Sequence, residues 1–322
     1  MASKKPMTKK ATATKSASKK KTAEAVAQPV EKVVVEEEMV EVIDTTTKER
    51  ARTSLLPGNL INIVITELVG TFILTLVALS TGYFNFAPFY VGLTLTVMVL
   101  AIGAVSGSHI NPAVTFGLWS MRKLKTALVP FYWAAQFLGA MSAVVLLNVL
   151  SNNTFSLSFD SFMSFSWGIF AIELVGAAVF MFGLAAVLSR QEVKSSGKAV
   201  GIGMSLTIGL LVAGTLLAPV QNGAYKAARE GVQSGTIDQN KQHALPHELY
   251  VSGATLNPAV ALAATEKTDS QLKNGAAAPA EGEKNYSRLS LEVITATLIG
   301  AALGGNLFLL VNYRSKAEKL AN

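Results

Sequence analysis

Two copies of Asn-Pro-Ala stand 146 positions apart in this chain (257 minus 111), within "SGSHINPAVTFG" (Ser106 to Gly117) and "SGATLNPAVALA" (Ser252 to Ala263). Each tripeptide has the chemistry of a helix start. Pro112 and Pro258 suit the first helical position, where the missing N–H costs nothing. Asn111 and Asn257 suit the N-cap before it. Ala113 and Ala259 continue the turn. Two such helices meeting N-terminus to N-terminus would aim two positive dipole ends and two side-chain amides at one point. That point would favour a neutral, hydrogen-bonding solute and oppose protons and cations. One Asn-Pro-Ala is a common turn signal. Two copies, each following Ser-Gly, are a far more specific one.

The elements that must carry these groups repeat as well. "ITELVGTFILTLVAL" (Ile65 to Leu79) answers "AIELVGAAVFMFGLA" (Ala171 to Ala185), pairing Glu67 with Glu173. Each half opens with a Glu-containing helix and closes on an Asn-Pro-Ala loop. The separations are 44 positions (111 minus 67) and 84 (257 minus 173), so the second half holds about 40 extra residues, mostly Gln221 to Leu249. Three helices per half is an odd number, so the halves enter a membrane from opposite sides and form an inverted repeat. The apolar runs after the motifs, "AVTFGLW" and "AVALAAT", are too short to span and read as re-entrant half-helices.

Composition agrees. Half of the 322 residues are hydrophobic, 15% are charged, and mean hydropathy is +0.40. Long, nearly uncharged runs lie at about 60–82, 88–107, 128–150, 167–189, 198–220 and 289–312. Each approaches the ~20 residues that cross a bilayer as a helix. The fold class expected is an all-α membrane protein of six spanning helices plus two half-helices; buried helices of a soluble protein are the disfavoured competitor. Residues 55–314 form the expected domain, with halves at 60–150 and 166–312 and outer-loop insertions at about 221–249 and 266–287. Tails occupy 1–54 and 315–322.

Lys and Arg set the expected orientation. Arg122, Lys123 and Lys125, then Arg190, Lys194 and Lys198, then Arg314, Lys316 and Lys319 are basic clusters, while 83–87 and 151–165 have no Lys or Arg. Both termini are therefore expected in the cytoplasm. The first 50 residues are polar, so the first helix must direct insertion. The first 21 residues hold eight lysines and no acid, and the acidic patch "VEEEMVE" follows. This segment has too little apolar content for a core. It is expected to be a solvated tail, with contact to anionic lipid as the alternative. There is no cysteine, hence no disulfide.

At these residues the chain resembles the aquaporin, or major intrinsic protein, family. The resemblance covers roughly Leu60 to Tyr313 and includes "TELVGTF", "YWAAQFLGA", "IELVGAAVFMFG" and "GIGMSLTIGLL" besides the two loops. It implies one pore per subunit and usually a homotetramer. It makes Asn111 and Asn257 the pore donors, and Glu67 and Glu173 buried carboxylates that accept from the backbone of the re-entrant loops. The scaffold role is preferred over a functional intramembrane acid. His109 matches the family's loop histidine and reads as structural or as lining the cytoplasmic vestibule.

One departure stands out. The family's second motif normally continues with arginine, part of a four-position outer filter. Here that position is Val260. Counting from the motifs gives Val91, Leu210, Ala254 and Val260 as the filter, with no charge, ring or side-chain donor. The loss removes a fixed cation and several N–H donors. Three consequences compete: a wider gap admitting glycerol or urea, water selected by the central asparagines, or an apolar constriction that dewets and closes. Aquaglyceroporins typically carry aspartate next; here it is Ala261. Lys226, Arg229, Lys241, His243 and His247 of the insertion are available to replace the charge, though a solvated outer loop is the expectation for them. "GAALG" (Gly300 to Gly304), Gly139, Gly176 and Gly209 suit close helix packing. Asn152 and Asn285 open acceptor-type sequons. Residues around 275–284 read as an exposed linker.

The function expected is a passive channel for water or small neutral solutes. A closed-pore scaffold or junction protein is the alternative. A coupled transporter would need an ion site or proton relay, and beyond Glu67 and Glu173 the spans offer almost no acids. No nucleophile–base constellation, metal cluster, cofactor motif or folded nucleic-acid motif is visible in the sequence.

Overall fold

The computed structural model describes residues 56–82, 84–151, 157–238, 240–275 and 279–313. Both expected tails and the Asn152 sequon lie outside the described residues. The described chain is built from α1 (Leu60–Thr81), α2 (Ala87–Ser106), α3 (Pro112–Ser120), α4 (Val129–Ser151), α5 (Trp167–Ser189), α6 (Ser195–Gln233), α7 (His247–Tyr250), α8 (Pro258–Ala263), α9 (Asp269–Asn274) and α10 (Leu291–Val311). Six of these helices, α1, α2, α4, α5, α6 and α10, are long and apolar enough to cross a membrane. Their outward faces are hydrophobic: Ile61 and Trp167 are 74% and 76% exposed. In water such a surface would aggregate; in lipid it is the ordinary outer face.

Local chemistry sets the ends. α2 carries proline in its first turn and stops at Gly107, whose φ of 83° lets its N–H reach back to the Gly103 carbonyl. The side chains of Ser166 and Ser290 cap α5 and α10 by accepting from Ile169 and Val293.

One boundary departs from expectation. α6 does not end near residue 220; it runs 39 residues to Gln233, through Pro219. At 1.5 Å per residue that is about 58 Å, roughly twice a hydrocarbon core. The overrun, "QNGAYKAAREGVQ", is rich in helix formers. Ala224 and Ala228, four apart, give it a buried stripe that packs with Leu249. The expected loop at 221–249 is therefore helical at both ends, over 221–233 in α6 and from His247 in α7. The second re-entrant helix, α8, is shorter than the apolar run suggested, ending at Ala263.

Both halves pack alike. α1 lies against α2 and α4, α5 lies against α6 and α10, and α2 meets α6 between the halves. The closest approaches match. A Cβ on Gly139 would stand 2.3 Å from the Leu68 carbonyl, and one on Gly300 would stand 2.4 Å from that of Leu174. Leu68 and Leu174 each follow the repeated glutamate. The short helices cross over: α3 packs on α10, while α8 packs on α4 and α1. Outside the helices, β1 (Leu157–Ser158) pairs in parallel with β2 (Asn285–Tyr286), so Asn285 sits in a strand rather than a free loop.

Candidate functional site

The two Asn-Pro-Ala loops meet and exchange hydrogen bonds. Asn111 Nδ2 donates to the Leu256 carbonyl at 2.9 Å, and Asn257 Nδ2 donates to the Ile110 carbonyl at 3.0 Å. Each carbonyl belongs to the residue before the other asparagine. Both of those residues are left-handed, with φ of 39° at Ile110 and 51° at Leu256. That conformation is costly for a side chain bearing Cβ, most of all for β-branched isoleucine. It turns each carbonyl toward the opposite loop.

The side-chain oxygens of the asparagines do the capping. Asn111 Oδ1 accepts from Ala113 at 2.8 Å; Asn257 Oδ1 accepts from Ala259 at 3.0 Å and Val260 at 3.4 Å. Every amide thus has its oxygen and one N–H engaged. The second N–H of each remains, since an amide carries two. Pro112 and Pro258 occupy the first helical turns.

Buried carboxylates hold the strained backbone. Glu67 accepts from Ser106 Oγ and His109 N through Oε1, and from Ile110 N and Gln136 Nε2 through Oε2, all between 2.7 and 2.9 Å. Glu173 accepts from Thr255 N at 2.9 Å and Thr255 Oγ1 at 3.2 Å through Oε1, and from Leu256 N at 2.9 Å through Oε2. Both glutamates are 0% exposed. A carboxylate offers about four lone-pair sites, which suits a strand of backbone whose N–H groups have no helical partner.

His109 is buried, stacked on Tyr132 at 4.4 Å, with Nδ1 3.2 Å from Thr115 Oγ1. Val91, Leu210 and Ala254 are partly buried and pack against one hydrophobic cluster that includes Leu206, Ala213 and Leu256. Val260, in the first turn of α8, is 8% exposed.

The insertion brings a correction. Lys226 and Arg229, both in α6, and Lys241 are exposed, as solvated side chains should be. His243 and His247 are not: their side chains are 16% and 12% exposed and lie against carboxylates. His243 Nε2 is 2.9 Å from Glu266 Oε2, and His247 Nε2 is 2.8 Å from Glu292 Oε1. Arg288, 2% exposed, reaches Glu292 at 3.3 Å and Glu173 at 3.6 Å. Glu266, Arg288, Glu292 and Gln136 were not singled out by sequence reasoning. A faint signal existed for three of them: a lone glutamine inside an apolar span, and an Arg–Glu pair four apart at a helix start.

Residues 82–227 match the major intrinsic protein family model, a range that ends inside α6 and before the second Asn-Pro-Ala loop. The chain is 32% identical to Aquaporin NIP2-3 of Zea mays over 185 residues, which cover 54% of this chain and 60% of that protein. It is 27% identical to Nodulin-26 of Glycine max over 210 residues, covering 60% of this chain and 75% of the other. Among solved structures, the aquaglyceroporin from Plasmodium falciparum aligns with 78% of this chain and 94% of its own at 18% identity and a TM-score of 0.45. The chain spans 60% to 64% of the lengths of three maize relatives it matches. With six helices long and apolar enough to cross a membrane, this multi-pass membrane chain is similar over residues 82–227 to the major intrinsic protein family, the aquaporins.

Proposed function

We propose that this protein is a passive channel for water and small neutral solutes of the glycerol or urea type. The observation that carries the reading is the reciprocal exchange between Asn111 and Leu256 and between Asn257 and Ile110. It leaves one amide N–H on each asparagine with no partner among the described residues, suited to a solute oxygen passing in single file. A charged solute would lose its hydration there for two neutral donors, a poor trade. Asn111 and Asn257 act as the donors, Pro112, Ala113, Pro258 and Ala259 shape the two helix starts, and Glu67 and Glu173 hold the loops. His109 supports the first loop.

Val91, Leu210, Ala254 and Val260 form the outer filter in this reading, and it is apolar throughout. A wider, weakly polar opening admits solutes larger than water. Both termini face the cytoplasm, since alternating spans bring the basic loops 122–125 and 190–198 to the side of both helix-bundle ends. The protein assembles as a homotetramer through its apolar outer faces. A second reading, a scaffold with a closed pore, is favoured by the low exposure of Val260, because an apolar constriction can dewet.

Stopped-flow light scattering on proteoliposomes, under sorbitol and then glycerol gradients, tests both. The channel reading expects wild-type flux of water and glycerol above empty liposomes, with glycerol flux lost in Val260→Arg. No wild-type flux would reject it in favour of the scaffold.

A further inference from the structure

The insertion after α6 surrounds the second Asn-Pro-Ala loop with buried charge. The side chains of Glu173, Glu266 and Glu292 are 0% exposed, and the permanent cation among them is Arg288. Three carboxylates against one guanidinium leave two negative charges, and uncompensated charge is not tolerated at such depth. The two remaining groups in contact are His243 and His247. If both are imidazolium, the count closes at zero.

Geometry supports the same protonation state. His247 lies between two carboxylates, with Nε2 2.8 Å from Glu292 Oε1 and Nδ1 3.6 Å from Glu266 Oε1. A neutral imidazole has one N–H and would turn a lone pair toward one of them. Only the doubly protonated ring presents N–H to both. His247 Nδ1 and Glu266 Oε1 otherwise make no hydrogen bond among the described residues.

The cluster is fastened to both flanks of the loop. Before it, Gln221 donates to the Glu248 and Val251 carbonyls, and Ser166 Oγ donates to Glu248. After it, Lys267 N donates to the Tyr250 carbonyl at 2.8 Å and Arg288 N to that of Ala264 at 2.8 Å. At its centre, Arg288 pairs with Glu173, which carries the N–H groups of Thr255 and Leu256.

We propose that His247, assisted by His243, is a positioning residue whose protonated form clamps the second Asn-Pro-Ala loop in its conducting geometry, making the channel pH-dependent. The conducting half of this statement rests on the proposed function; the clamp does not. The groups facing the two imidazoles are Glu266 from the segment after α8, Glu292 and Arg288 at the start of α10, and Asp269 of α9. Asp269 accepts from His243 N and pairs with Lys273. Tyr250 and Tyr286 flank the His243 ring at 3.8 and 4.4 Å, and Glu283 and Lys284 line the same small pocket. The clamp exists only in the imidazolium form, so it is closed at acid pH and released at alkaline pH.

The test uses the full chain in proteoliposomes, with two readouts from about pH 5.5 to about 8.5. Hydrogen exchange, corrected for its chemical pH dependence, reports residues 241–268; stopped-flow scattering reports water flux. The expected wild-type result is an approximately tenfold loss of protection and at least a threefold loss of flux toward alkaline pH. Glu266→Gln removes one of the two uncompensated negative charges and keeps the shape, so its loss of protection toward alkaline pH should be clearly smaller than that of the wild type. His247→Gln should be weakly protected at both ends. Wild-type protection that is flat with pH, or Glu266→Gln with the wild-type profile, overturns the clamp. Protection that titrates while a substantial flux stays constant overturns its coupling to the pore. Protection that titrates with no flux at any pH upholds the clamp and rejects the channel.

Discussion

Glu67→Gln replaces one carboxylate oxygen with an amide nitrogen and leaves the volume unchanged, so it isolates what the charge and the acceptor count contribute. Each oxygen of Glu67 takes two donors: Ser106 Oγ and His109 N on one, Ile110 N and Gln136 Nε2 on the other. Whichever way the new amide turns, its NH2 meets two donors. The Ser106 hydroxyl can rotate away. Gln136 can flip and present its Oε1, which makes no hydrogen bond among the described residues. A backbone N–H, of His109 or Ile110, can do neither. One buried backbone donor is therefore left unpaired, costing about 1–3 kcal/mol. The remaining bonds lose their charge assistance, which brings the total to roughly 2–4 kcal/mol. For a domain of about 250 residues, at some 2–4 °C per kcal/mol, the midpoint of thermal unfolding should fall by roughly 4–16 °C. Intrinsic fluorescence during heating of detergent-purified protein measures it, with Glu230→Gln on the exposed end of α6 as control. A midpoint within about 1 °C of wild type would refute the reasoning, because the left-handed Ile110 would then be held without its carboxylate.

Arg288→Gln leaves Glu173 and Glu292 without their permanent cation, and breaking a buried pair in this way costs about 3–5 kcal/mol. Its unfolding midpoint should lie below that of Glu67→Gln, and the reverse order would contradict the buried network. Asn257→Asp sets a carboxylate oxygen against the Ile110 carbonyl, now 3.0 Å from the amide nitrogen. Water flux should fall on the order of tenfold, and wild-type flux would show that the exchange between loops is dispensable. Gly304→Val would put Cβ 2.0 Å from the Ala178 carbonyl oxygen and force α10 off α5. The expected outcome is loss of a monodisperse peak in size-exclusion chromatography, with a normal peak as the contrary result. Glu283 lies outside the spans; partial burial raises its pKa, but hydrogen bonds from the Ser270 hydroxyl and from Ala280 and Ser270 N–H outweigh this and lower it from 4.5 to about 2. A depressed carboxyl stabilises above its unfolded pKa and loses that contribution as pH falls through the folded one. Amide protection at 268–275 and 279–284 should therefore drop between pH 4.5 and about 2, and in Glu283→Gln it should not change over that window.

The sequence by itself determined the six spans, the two asparagine-capped half-helices and the equivalence of Glu67 with Glu173. These follow from near-neighbour properties. A run of some twenty apolar residues must be helical in lipid, because no other conformation satisfies its backbone there, and an Asn-Pro pair encodes its cap within two residues. Gly139 and Gly300, which pack against Leu68 and Leu174, were legible for a similar reason, as small residues on an otherwise bulky face.

The tertiary structure alone decided who meets whom. The exchange between Asn111 and Leu256 joins residues 145 apart, and the left-handed turn of Ile110 that makes its mirror image possible has no local signal in a β-branched residue. α6 runs past the membrane to Gln233 because Ala224 and Ala228 find Leu249, a contact that exists only once the chain has turned back. His243 and His247 looked like solvated loop residues, since nothing in a polar stretch reveals which carboxylates fold against it. Charge is a property of a residue. Its burial, and hence what it can hold in place, is a property of the packing around it.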